Sequence, residues 1–227
     1  MQQTREVLPM LVQTWTRARR GFLVACMPLF ALAVQACGND ADVPPPPDFK
    51  DAAPTELVRP DSPVIGPADA KVTMVEFLDP ECESCRAAFA DVKAILDDYP
   101  KDLRLVVRYF PLHGNSVLAA VATEAAGEQG KYEEMQELLF TRQPEWGEQQ
   151  TPQTEKFVEY ADELGLDVAR FRSSLDKQEY RDKVARDRAD GIAVGVTGTP
   201  TFFVDGKWIS RPSPAALRAA IDGALKR

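Results

Sequence analysis

Apolar residues along this chain recur in two periods, and the switches between them mark out its elements. In "KVTMVEFL", Lys71 to Leu78, β-branched and aromatic residues run almost unbroken, which predicts a buried strand. From Glu83 to Tyr99 the apolar positions Phe89, Val92, Leu96 and Tyr99 follow helical spacing, and Pro100 stops the helix. "LRLVVRYF", Leu103 to Phe110, predicts a second strand. Strand, helix and strand in that order predict a βαβ unit with parallel strands. The pattern then turns helical for a long stretch. Val117 to Ala126 is alanine-rich, Tyr132, Met135, Leu138 and Leu139 share a face, and so do Phe157, Tyr160, Ala161 and Leu164. Asp167 reads as the N-cap of "VARFRSSL", and one more helix spans Glu179 to about Val194. Strand character returns in "TFFVDGKWIS", where Asp205-Gly206 signals a two-residue hairpin turn. Ser213-Pro214 then opens a closing helix that reaches about Leu225.

Composition changes this picture mainly at the N-terminus. The 227 residues are 44% hydrophobic, enough for one domain with a full core plus extra segments. The formal charge of −8 argues against a nucleic-acid partner, because phosphate binding needs a basic face. Arg17, Arg19 and Arg20 precede the uncharged stretch "GFLVACMPLFALAVQA", Gly21 to Ala36. A basic cluster followed by a short apolar run is an export signal, and this run is shorter than the ~20 residues of a spanning helix. Residues 1–36 are therefore expected to be a signal peptide. "VQAC" resembles a bacterial lipoprotein cleavage box, with Cys37 as the lipidated residue; ordinary cleavage nearby and an uncleaved anchor are the other readings. "ARRGFLV" partly matches a twin-arginine signal. Residues 37–63, centred on "VPPPPDF", have the composition of a semi-extended spacer. The globular domain is expected over 64–227, with a helical insert at about 114–195.

Removal of the signal makes the cysteines informative. Of four, Cys26 would leave with the signal and Cys37 would carry lipid, so only Cys82 and Cys85 remain. A loop that short constrains the unfolded chain little, so the pair is poorly suited as a staple. Zinc would need two more ligands, and the chain holds a single histidine, His113. Haem attachment needs histidine directly after the second cysteine, where Arg86 stands. A redox pair is the leading reading. A passive surface disulfide and a carrier of a soft ion such as Cu(I) remain alternatives, and no cofactor beyond the thiols is expected. Cys82 precedes the predicted helix and Cys85 falls in its first turn, where unpaired N–H groups and the dipole stabilise a thiolate. Cys82 should be the exposed nucleophile and Cys85 the buried resolving thiol. Strand alternation sets Met74, Glu76 and Leu78 on one face; a Glu76 carboxyl buried there would have a raised pKa and a proton to exchange, and the other reading is a solvent-facing strand residue with no role. His113 follows the second strand in a loop, where a histidine ordinarily has no chemical role. Trp146 and Trp208 read as packing, and the acidic runs around Glu133 and Asp187 as solvated helix faces.

Strand, C-x-x-C at a helix start, helical insert, then "GVTGTPTFFVDGK" resembles the DsbA-like thiol–disulfide oxidoreductases of the thioredoxin superfamily, here in an exported lipoprotein form. The likeness runs from about Val64 to the C-terminus. It implies an α/β thioredoxin fold, with the helical insertion between the βαβ half and a C-terminal ββα half. It implies that Pro200 is a cis-proline and that Thr199 and Pro200 bind the substrate chain. It assigns to Glu76 the relay of protons to and from the resolving cysteine. It implies partners: cysteine-containing exported polypeptides, an envelope redox partner, and a membrane reached through lipid at Cys37, in the periplasm or at the envelope surface. Glu83 and Ser84 between the cysteines depart from the proline and histidine of strongly oxidising members. Glu83 should oppose a thiolate at Cys82 and Arg86 partly offset it, which gives a thiol pKa above that of those members. The reading from another class is a non-catalytic envelope lipoprotein that keeps the fold as a binding platform.

Overall fold

The computed structural model describes residues 51–227. The export signal, Cys37 and the "VPPPPDF" stretch lie outside those residues. A short helix α1 (Pro54–Leu57) and strand β1 (Val64–Ile65) lead into β2 (Val72–Leu78), α2 (Glu83–Asp98) and β3 (Leu103–Tyr109). β2 and β3 pair in parallel, with Glu76 opposite Val107. β4 (Thr201–Val204) pairs antiparallel with β2, placing Phe202 on the other side of Glu76, and β5 (Lys207–Trp208) pairs with β4. The sheet order is β1-β3-β2-β4-β5.

Central strands are covered on both faces, which is why β2 and β3 read as unbroken apolar runs. One face carries Met74, Leu78, Leu105 and Val107 and packs against α2 and the C-terminal helix α9 (Pro214–Leu225) through Ile95, Leu217 and Ile221. The other carries Val75, Phe77, Val106 and Phe110. Between β3 and β4 run α3 (Ser116–Gly127), α4 (Tyr132–Thr141), α5 (Gln143–Trp146), α6 (Thr154–Glu163), α7 (Val168–Leu175) and α8 (Gln178–Ala193). Most of them build a second core around Trp146, Phe157 and Phe171, against the small side chains of α3. The indole N–H of Trp146 donates to the Leu139 carbonyl at 2.9 Å. α8 instead returns to the sheet: a Cβ added at Gly191 would meet the Phe110 ring at 2.8 Å, so only glycine permits that approach. At the hairpin, Asp205 (φ 47°) and Gly206 (φ 85°) both take left-handed conformations, as the two-residue turn requires.

The spacer expected to reach residue 63 ends earlier, because residues 51–63 are bound to the domain. Ala52 N–H donates to the Gly206 carbonyl at 2.9 Å, Leu57 is 1% exposed, and β1 pairs antiparallel with β3. Asp187, expected on a solvated helix face, is fully buried. It pairs at 2.9 Å with Arg108, a buried arginine of β3 that also reaches Asp190 and the Leu57 carbonyl. Arg59 grips Asp190 from the N-terminal segment at 2.9 and 2.7 Å. Residues that look hydrophilic in sequence thus form one ion-pair network that straps the segment to α8.

Candidate active site

Strand β2 stops at Leu78, the chain turns through Asp79-Pro80-Glu81, and Cys82 caps α2 in an extended conformation. Cys82 is partly exposed, Cys85 one turn later is 1% exposed, and both are free thiols. The Thr199–Pro200 peptide bond is cis, and the Thr199 carbonyl lies 3.5 Å from Cys82 Sγ. The Cys82 thiol is pulled down to about 5, first by a hydrogen bond with the Cys85 thiol. Burial opposes this, while the Thr199 side chain and the backbone N–H groups of Cys85 and Ser84 add to it. The Thr199 hydroxyl oxygen is buried and has no hydrogen-bond partner among the described residues, which leaves its proton free to turn toward a Cys82 thiolate. Glu83, Ser84 and Arg86 are exposed on the first turn of α2. Neither the Glu83 nor the Arg86 charge ranks among the main influences on Cys82, which are the Cys85 thiol, burial, the Thr199 side chain and the helix N–H groups. The value of about 5 still lies above the ~3.5 of a strong oxidant.

Behind the pair the environment reverses. Cys85 is pushed far above its usual range, first by burial, then by the Cys82 hydrogen bond and the Glu76 charge. The Asp79 N–H donates to its sulfur at 3.5 Å. Glu76 is 4% exposed and shares the core face of Met74, Leu78 and Cys85; burial pushes its carboxyl up to about 8. It therefore holds a proton at neutral pH and releases it within reach of physiological conditions.

Sequence reasoning missed the groups that hold the turn. Asp79, fully buried, accepts hydrogen bonds from Glu81 N–H (2.8 Å) and Leu112 N–H (2.7 Å) and bonds His113 Nδ1 at 2.6 Å. Burial alone would lower the His113 pKa, but the Asp79 hydrogen bond and charge outweigh it and favour imidazolium, with a smaller push from Cys82. Glu81 accepts from the backbone N–H of Asn115 (2.6 Å) and Glu148 (2.9 Å). Gln143, on α5, donates to the carbonyls of Pro80 (2.8 Å) and Cys82 (3.1 Å). The helical insert thus clamps the cysteine turn. The available signal was the pair of acids directly ahead of Cys82. Among the described residues no group of three or more His, Cys, Asp or Glu side chains is placed to hold a metal ion, and no helix is long and apolar enough to cross a membrane.

The thioredoxin family model matches residues 59–223. A thioredoxin-like oxidoreductase from Silicibacter pomeroyi DSS-3 is 32% identical and superposes with a TM-score of 0.67, over 78% of this chain and 99% of that one. BdbD from Bacillus subtilis, in its oxidised form, is 28% identical with a TM-score of 0.67, over 73% and 94%. At 20% identity, alpha-DsbA1 from Wolbachia pipientis shares the fold, with a TM-score of 0.66 over 75% and 94%. Two curated relatives are Na(+)/H(+) antiporters: NhaA of Herminiimonas arsenicoxydans, 38% identical over 71% of this chain, and NhaA 3 of Salinispora tropica, 39% identical over 71%. The chain spans only about a quarter of the length of these proteins (25% and 24%). A family match over most of the domain, and a relative covered almost end to end, agree with the geometry: the chain belongs to the thioredoxin family.

Proposed function

We propose that the protein exchanges disulfides with cysteine-containing exported polypeptides through Cys82 and Cys85. The observation that carries this reading is the contrast within the pair: a thiol lowered to about 5 at a helix N-terminus, one turn from a buried thiol with a raised pKa. In the oxidising direction a substrate thiolate attacks Cys82 Sγ, and the Cys82–Cys85 bond breaks. Cys85 leaves as a thiolate and takes the proton held by Glu76. A second substrate thiolate then attacks the substrate sulfur of the mixed disulfide and releases Cys82 as a thiolate. The reducing direction reverses these steps, with the Glu76 carboxylate removing the Cys85 proton before Cys85 attacks. The Thr199-Pro200 loop receives the substrate backbone beside Cys82; a carbonyl 3.5 Å from the sulfur supports that role.

The reading extends to an exported protein held at the envelope by lipid on Cys37 and regenerated by an envelope redox partner. The antiporter names belong to the longer relatives, and no ion transport is carried over to this chain. A thiol near 5 stands between thioredoxin (about 7) and a strong oxidant (about 3.5), so a potential between roughly −270 and −120 mV is expected. The test is Cys85→Ala in the full-length chain mixed with a disulfide-bearing polypeptide. A mixed disulfide at Cys82 should accumulate, whereas wild type should turn over. If neither protein forms a mixed disulfide, the binding-platform reading replaces this one.

A further inference from the structure

A docked substrate covers Cys82, so the proton handled by Glu76 needs another way out. Glu76 makes no hydrogen bond with any described residue, although it is 4% exposed. It faces a cavity of about 90 Å³ behind the cysteines, which Cys85 also lines. Gln136 on α4 lines the same cavity, is 5% exposed, and likewise has no hydrogen-bond partner among the described residues. The remaining wall is mostly apolar, including the Phe89 and Phe140 rings, whose centroids are 5.1 Å apart. Buried polar groups are almost always paired with protein or ordered water. This volume is several times the ~10–15 Å³ that seats one water. At the rim Lys93 of α2 and Glu137 of α4, each about half exposed, form an ion pair at 2.8 Å.

We propose that this cavity is a hydrated proton conduit, running from Glu76 past Gln136 to solvent at the Lys93–Glu137 pair. The proposal rests on the exchange reaction described above. When Cys85 attacks, its proton passes to the Glu76 carboxylate, then to water held by Gln136, and leaves between α2 and the helical insert. Gln136 is a positioning residue: it orders the water and carries no proton itself. The ionisable groups around Glu76 are Cys85 and Lys93 from α2 and Tyr132, Glu133 and Glu137 from α4. Its strand neighbours Val107 and Phe202 are apolar. One rival route exists. The Tyr132 hydroxyl bonds that of Tyr109 at 3.0 Å, and Tyr109 donates to Glu124 at 2.8 Å, which also accepts from Lys183.

The experiment resolves two steps in the full-length chain by stopped flow, with a disulfide-bearing peptide, in H₂O and D₂O from acid to mildly alkaline pH. The first step is capture of the peptide on Cys82; the second is its release by Cys85. Gln136→Leu should slow release at least about tenfold and enlarge its solvent isotope effect, with capture unchanged. Gln136→Glu should restore release, and Tyr132→Phe should leave both steps at wild-type rates. If Gln136→Leu does not fold, Gln136→Met carries the same comparison. Unchanged release in a folded Gln136 variant, equal slowing of both steps, or slowing by Tyr132→Phe alone would overturn the conduit. Absence of capture in wild type would overturn the exchange reading itself, a separate outcome.

Discussion

The two sides of the cysteine pair treat sulfur in opposite ways. At the front, Cys82 meets helix N–H groups, a second thiol and the Thr199 hydroxyl, and its pKa falls to about 5. At the back, one turn away, Cys85 and Glu76 meet Leu78, Val107 and Phe202, and both hold their protons more tightly. The front is built from side-chain and backbone donors and the back from core packing. A local loop change should therefore retune Cys82, whereas Cys85 answers to the packing of the whole sheet.

Alkylation should show the contrast at its largest. With one equivalent of iodoacetamide at mildly acidic pH, Cys82 should react at least about a hundred times faster than Cys85. Comparable labelling of both, read by peptide mass mapping, would erase the distinction. Glu76 gives the next effect. Its carboxyl is raised from the ordinary 4.5 to about 8, so the folded state binds more protons than the unfolded chain between those values. Stability should be fully present below about 4.5 and fall as pH rises to about 8, by on the order of 5 kcal/mol. Glu76→Gln should flatten that slope in urea unfolding measured across this range; parallel slopes for the two proteins would place the carboxyl in contact with water. The smallest effect belongs to the front. Thr199→Val removes one donor and should raise the Cys82 pKa by about half to one unit, with a more reducing potential. A pH titration of thiolate absorbance checks the first and glutathione equilibration the second.

Much of this was legible locally. The runs of β2 and β3, the helical spacing of α2 and the Asp205-Gly206 turn each follow from neighbours in sequence, and so do the caps Asp167 and Ser213, which accept from Arg170 N–H and Ala216 N–H. Cys82 and Cys85 stood out by their spacing at a predicted helix start and Glu76 by strand alternation; the relay role of Glu76, like Thr199 and Pro200, needed the family likeness. What stayed hidden depends on partners far away in the chain. Arg108 and Asp187 are 79 residues apart, and nothing near Asp187 distinguishes it from a solvated acid. Asp79 and Glu81 are buried because loops from the insert bring N–H groups to them. α5 has four residues, too few to carry a period.

The N-terminal strap also marks one pole of the sheet. Ala52 is bound to Gly206, at the end of the sheet where β2 begins, while the thiols stand where β2 ends. Seven residues of strand separate these poles, roughly 20 Å. The first described residues and the two thiols therefore stand at opposite ends of one strand, so a change at either end reaches the other only through the length of β2.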